Sequence, residues 1–170
     1  MLVIVSIALL IILSYTVSVC IKGKKIPRSV SATWYAIKHK WWFRFAMWAT
    51  PMLTIPAIVE ISTENTAWLG FVSLLGMILV GCAPNFENDS FQRKLHISGA
   101  VLLLLGTQIW MVFNYPLLLL VWLAYILYTI IGVSAQKNIN IISRFYNTNP
   151  MFWVEMCVMN VFVTLFIKYF

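Results

Sequence analysis

Six long apolar runs, separated by short polar stretches, set the rhythm of this chain. They lie at about 2–21, 41–59, 67–83, 95–113, 117–133 and 151–167. A helix needs about 20 apolar residues to cross a bilayer, and each run approaches that length. The alternation predicts an all-α, polytopic transmembrane bundle of six spans, forming a single domain over residues 1–170. The breaks between runs carry helix-ending residues: Pro84 closes the third run, and Asn114, Tyr115 and Pro116 form a tight turn after the fourth. Pro51 and Pro56 fall inside the second run, where a kink is expected, because neighbouring helices can satisfy the carbonyls that proline frees.

Two runs carry small and polar residues at helical spacing. In the fourth these are His96, Gly99, Ala100, Leu103, Gly106, Thr107, Trp110 and Asn114; in the third, Gly70, Ser73, Met77 and Gly81. Small residues let helix backbones approach closely in lipid, so these two faces are expected to meet.

Composition agrees with a membrane setting. Of the 170 residues, 62% are hydrophobic and only 10% charged, against about 25% charged in ordinary soluble domains. Cys20, Cys82 and Cys157 are too widely spaced for a zinc or disulfide pattern and read as packing thiols, with palmitoylation of Cys20 or Cys82 as the sharper alternative. The net charge of +7 reports topology rather than nucleic-acid binding, because the bases flank apolar runs. Lys22, Lys24, Lys25, Arg28, Lys38, Lys40 and Arg44 lie between the first two runs. Arg93 and Lys94 follow the third, and Lys137 and Arg144 follow the fifth. Only Lys168 falls on the opposite side, so eleven of the twelve bases share one side. By the positive-inside rule that side is cytoplasmic and both termini face outward. The first run lacks a preceding basic region and reads as a retained helix rather than a cleaved signal. Trp41, Trp42, Trp68 and Trp153 sit near run ends, where indoles anchor to the interface. A bacterial-type inner membrane is the default location.

An ionisable residue within a membrane is costly and therefore a candidate for function. Glu155, just inside the sixth run, is the clearest case, and His96 opens the fourth. Asp89 and Glu87 precede it in a short loop. Residues 27–40 are too polar to cross yet carry Trp34, Tyr35 and Ile37, which predicts an interfacial or partly re-entrant segment. The cytoplasmic end thus gathers Ser, Tyr, His and acidic groups, while the other end holds mainly Glu60, Glu64 and Asn114. Lys24, Lys25, Arg28, Ser29, Ser31, Tyr35 and His39 are the expected lipid-binding positions, since bases beside a membrane attract anionic headgroups. Asp89, His96 and Glu155 are the catalytic candidates and also the candidate ligands for zinc, although no metal-binding spacing is present and no cofactor is expected. The bland alternative is that His96 and Glu155 tie helices together. A Ser–His–acid nucleophile on Ser29 or Ser31 lacks a nucleophile-elbow signature, and haem between His39 and His96 ranks lower still. The sequon Asn88-Asp89-Ser90 falls on the cytoplasmic side and should be silent.

The order of these features resembles a family. Pro27-Arg28-Ser29-Val30-Ser31 follows the first run, Trp42-Phe43 opens the second, and Gly81-Cys82-Ala83-Pro84 ends the third. Phe86 and Asp89 follow, then His96 with Ser98-Gly99-Ala100. Over about residues 27–105 this resembles the six-helix membrane proteins of the damage-regulated autophagy modulator and GPI-anchor lipid-remodelling type, with their prokaryotic relatives. The resemblance implies a lipid-associated or regulatory role and singles out Ser29, Ser31, Asp89 and His96. It would put the Ser-containing segment on the non-cytoplasmic side, whereas the count of bases puts it inside; the count decides.

Three functions follow as expectations. The first is a non-enzymatic lipid-interacting or regulatory bundle whose partners are membrane lipids, with a homo-oligomer or a second membrane protein as a further partner. The second is an intramembrane lipid hydrolase, with or without zinc, using Asp89, His96 and Glu155. The third is a small channel or transporter subunit, for which Gln108 and Asn160 would line a path.

Overall fold

The computed structural model describes residues 1–63, 65–137 and 139–170; Glu64, named above, lies outside them. Among the described residues the chain is all helical, without strands. Helix α1 (Leu2–Gly23) is followed by a one-turn helix α2 (Thr33–Ala36), then α3 (Trp41–Ile61), α4 (Ala67–Cys82) and α5 (Ser90–Asn114). A 3-10 turn (Pro116–Leu120) feeds α6 (Val121–Ala135), and a short α7 (Ile141–Asn147) leads into α8 (Pro150–Tyr169). Four of these segments are long and apolar enough to cross a membrane: α1, α5, Pro116–Ala135 and α8. Helix α4 is apolar but has 16 residues, or about 24 Å at 1.5 Å per residue. Helix α3 has the length, with 21 residues, but is not among the four; Arg44, Glu60, two prolines and two threonines dilute its apolar character.

The helices start and stop for local reasons. Helix α1 ends where Lys24 turns left-handed (φ 51°) and its N–H bonds the Ile21 carbonyl. Asp89 caps α5, its carboxylate accepting from the N–H groups of Phe91 and Gln92 at 2.8 and 3.0 Å. Asn149, also left-handed (φ 53°), turns the chain into α8, which opens with Pro150 at a position where the missing N–H costs nothing.

Buried Val5, Ala8, Ile12, Tyr15 and Val19 form a stripe on α1 at alternating steps of three and four, and that stripe packs against α3 and α8. Helices α4 and α5 make the tightest seam. A Cβ added to Gly76 would lie 2.5 Å from the Gly99 carbonyl oxygen and equally close to the Leu103 nitrogen; one added to Gly106 would lie 2.8 Å from the Ser73 Cβ. The small faces expected to meet do meet here, with one reassignment. Gly76, outside the expected stripe, is at the point of closest approach, whereas Gly70 and Gly81 face Ile58 and Trp48 of α3.

Outside this core the surface is strongly apolar. Helix α6 has no buried residues, and Leu123, Leu127 and Ile131 are 55%, 59% and 68% exposed. Soluble monomers rarely show contiguous apolar faces of this kind. Trp41 and Trp68 are exposed at the start of α3 and α4, but Trp153 packs against Tyr128 and Phe152 instead of pointing outward.

Candidate functional site

A cavity of about 650 Å³ lies between α5 and α8, lined by residues near the start of both helices. Leu103 and Leu104 of α5, Val154, Val158 and Met159 of α8, and Met47 and Val80 behind them make its walls apolar. Ile97, Val101 and Met151 also line it and are exposed, so the cavity opens along the α5–α8 seam. Its polar residues, Ser29, Ser31, Glu87, Arg93, His96 and Glu155, come from the helix-start end of α5 and α8 and from the segments beside it. The volume lies within the range of roughly 300–1,000 Å³ typical of small-molecule sites, which are mostly apolar with a few placed polar groups.

The segment before α3 forms the lid of this end. Part of residues 27–40 folds into the protein: Val30, Ser31, Thr33 and Trp34 are buried, while Lys38, His39 and Lys40 stay exposed. The Ser29 hydroxyl accepts from the Ala32 N–H at 2.9 Å, starting the turn. Thr33 pairs with the Tyr15 hydroxyl of α1. Trp34 packs edge-on against Phe43, with Lys40 and Arg44 over its ring at 5.1 and 5.3 Å, a cation–π arrangement.

Glu155 holds this segment to α8. Its carboxylate accepts from the Val30 N–H and, at 2.8 Å, from the Ser31 hydroxyl. The fastening makes physical sense, because a carboxylate facing an apolar cavity needs hydrogen-bond donors to offset its lost hydration. A carboxylate has about four lone-pair sites, so Glu155 can accept more than these two bonds.

His96 is fixed in a similar way. Its Nδ1 lies 2.9 Å from the Ala83 carbonyl oxygen, and its ring stacks on Phe86 at 4.1 Å between centroids. A carbonyl can only accept, so Nδ1 carries the proton, and in the neutral ring Nε2 is an acceptor. Phe86 in turn meets Tyr35, whose hydroxyl accepts from the Glu87 N–H at 2.7 Å. Arg93 secures the same loop through the carbonyls of Phe86 (3.0 Å) and Glu87 (2.7 Å).

The structure therefore sorts the expected site residues into groups. Ser29, Ser31, His96 and Glu155 share one cavity. Asp89 does not join them: its carboxylate is engaged in capping α5, with a further contact to the Gln92 amide at 3.3 Å. That capping holds the Asp89 carboxyl below its usual pKa, the Gln92 backbone N–H being the largest cause. Asp89, His96 and Glu155 thus do not form the expected metal-ligand or catalytic trio, and among the described residues no group of three His, Cys, Asp or Glu side chains could hold a metal ion. Tyr35 is committed to the Glu87 loop, and Ser31 to Glu155. Lys24, Lys25, Arg28 and His39 are exposed and do not line the cavity. Gln108 and Asn160 both join segments of the bundle: Gln108 accepts from the Trp122 indole at 2.7 Å, and Asn160 donates to the Leu118 carbonyl at 3.1 Å.

Sequence reasoning missed Tyr15 and Arg93 as parts of this site. Tyr15 had a signal, as the sole aromatic in an otherwise aliphatic first run. Arg93 was read only as a topology marker, and its grip on two carbonyls depends on a loop shape no spacing rule gives.

No family model matches the chain, and neither a curated protein nor a solved structure matches it.

Proposed function

We propose that this is an integral membrane protein that binds a lipid, holding an apolar chain in the α5–α8 cavity with the polar head at the end lined by Ser29, Ser31, His96 and Glu155. The observation that carries this reading is the cavity itself: apolar along its walls, polar at one end, and open along a helix seam. A lipid could enter from the bilayer through that seam without leaving the membrane. The topology that goes with the reading is the six-span one, with both termini outside and the cavity's polar end at the cytoplasmic face, supported by the eleven-to-one split of Lys and Arg. In that orientation the exposed Lys24, Lys25 and Arg28 would hold the lid segment against anionic headgroups, each contributing about 1 kcal/mol near such a surface. The resemblance over residues 27–105 points the same way, toward a lipid-associated rather than catalytic role.

Binding fits the geometry better than turnover. The Ser31 hydroxyl donates to the Glu155 carboxylate directly, and the Ser29 hydroxyl accepts from the Ala32 N–H; neither is hydrogen-bonded to His96. A nucleophile needs a base within hydrogen-bond reach.

The test is mass spectrometry of the protein purified with its native lipid, with elemental analysis of the same sample. A specific lipid near one per protein, diminished in Ser29→Ala and His96→Ala, is the expected result. Lipid content unchanged in both variants would defeat the reading, and a stoichiometric metal lost in His96→Ala would transfer the site to the hydrolase reading.

A further inference from the structure

We infer that the lipid held in the cavity is a single-chain amphiphile whose head donates hydrogen bonds, an ammonium or a hydroxyl, and not one with a carboxylate or phosphate head. This rests on the lipid-binding reading and specifies its ligand.

The groups that face the polar end are mainly acceptors. Glu155 presents a carboxylate with two protein donors on it and capacity for more. His96, with its Nδ1 proton committed to Ala83, offers Nε2 as an acceptor. Among the described residues Arg93 brings the guanidinium to the wall, and two of its five N–H groups, on Nε and Nη2, donate to the carbonyls of Phe86 and Glu87. Glu87 lines the same end and adds a second carboxylate. The basic residues that would welcome an anionic head, Lys24, Lys25 and Arg28, lie outside the cavity. A carboxylate or phosphate head placed beside Glu155 would set acceptor oxygens against acceptor oxygens. An ammonium or hydroxyl there would complete the bonding of Glu155 and His96.

The cavity's shape limits the chain. Its α8 wall runs from Met151 to Met159, about 12 Å at 1.5 Å per residue. Buried Met47 and Val80 are part of its wall. A volume of about 650 Å³ suits one chain and a small head better than a two-chain phospholipid.

The experiment compares three amphiphiles of one chain length, dodecylamine, dodecanol and dodecanoate, titrated against the full chain in detergent and read by native mass spectrometry. Dodecylamine should bind about tenfold or more tighter than dodecanoate, the scale of one hydrogen bond to a charged group, with dodecanol between them. Glu155→Gln should remove the advantage of the amine and leave dodecanol binding largely unchanged. Ala100→Phe, a substitution at an exposed position on the cavity wall, should abolish binding of all three while the protein unfolds at an unchanged temperature. Dodecanoate binding as tightly as dodecylamine would overturn the assignment of the head and leave the lipid-binding reading standing. No binding by any of the three, or equal binding to Ala100→Phe, would overturn both. If Glu155→Gln is recovered poorly, the ranking of heads on the unsubstituted protein decides.

Discussion

Helix α5 is flanked by two seams built on opposite plans. Toward α4 its glycines meet glycine and serine, and backbone approaches backbone so closely that no Cβ fits at Gly76. Toward α8 its alanine, valine and leucines line the cavity. In a membrane, lipid tails are as apolar as the side chains, so burial alone does not draw helices together; close packing does. The α4 seam is therefore where α5 gains its stability. The α8 seam can remain open because the load is carried on the other face, and the proposed lipid site uses that opening. The polar end shows the same division. At the far end of α5, Asn114 accepts from the Thr63 N–H at 2.7 Å and donates to the Trp110 carbonyl, while the Trp110 indole donates to Ser62; those groups satisfy one another. At the near end, Glu155 and His96 are each fastened by hydrogen bonds to backbone or hydroxyl groups and also line the cavity.

The largest effect that would test this contrast comes from adding bulk to each seam in turn. Gly76→Leu forces carbons into the Gly99 carbonyl and the Leu103 nitrogen, and backbone cannot step aside as a flexible side chain can. Overpacking of a close-packed interior costs about 1–3 kcal/mol and occasionally more, and this site belongs at the upper end of that range. Ala100→Leu adds similar bulk to the cavity and should change stability by less than about 0.5 kcal/mol, as at an ordinary surface position. Thermal unfolding followed by size-exclusion in detergent gives both numbers. Equal destabilisation by the two would show that the cavity is filled in the folded protein and that the contrast is false.

A middle-sized effect is expected at the fastening of the lid. Glu155→Leu leaves the Val30 N–H and Ser31 hydroxyl without their acceptor, and an unsatisfied buried donor costs about 1–3 kcal/mol. The loss should be local, because Thr33 still pairs with Tyr15 and Trp34 still packs on Phe43. Trypsin should therefore cut after Arg28 faster in Glu155→Leu, with the unfolding temperature of the bundle shifted less than in Gly76→Leu. Cleavage at the parental rate would mean that Glu155 does not hold the segment.

Much of this arrangement was legible in the sequence, and the limits have physical causes. The apolar runs and their proline and glycine breaks place helices where helices are found, because hydropathy and turn chemistry are local. The meeting of the small faces of α4 and α5 was legible for the same reason, although glycine spacing alone could not show that Gly70 and Gly81 turn toward α3. Glu155 and His96 stood out as ionisable residues in apolar runs. Asp89 misled, because an acidic residue in a short loop beside His96 fits both a catalytic pair and a helix cap. The serine and glutamine that follow it, Ser90 and Gln92, favour the cap, as a side-chain acceptor at the N-terminus takes orphan N–H groups at small cost. Residues 27–40 read as interfacial or partly re-entrant, but the contacts that bury Val30, Thr33 and Trp34 were out of reach: they depend on Tyr15 and Glu155, distant in sequence on either side, and no periodic pattern encodes them.

The smallest effect concerns that cap, which sets where α5 begins and so how both seams are aligned. Because Asp89 accepts from Gln92 and Phe91, its carboxyl is held below the usual aspartate value in the folded protein. A group whose folded pKa is depressed adds stability above its unfolded pKa and loses it as pH falls through the folded value. The contribution should therefore be complete above about pH 4, the ordinary aspartate range, and decline below it. Asp89→Asn keeps an N-cap acceptor without the charge, so it should retain most of the neutral-pH stability and lose this part of the acid dependence. Asp89→Ala should lower stability at neutral pH and also flatten the profile. Unfolding temperatures measured from neutral pH down to the acid limit of the detergent would distinguish the three proteins. An acid profile identical in all of them would mean that Asp89 is not the cap, and would return its carboxylate to the candidates for the cavity's chemistry.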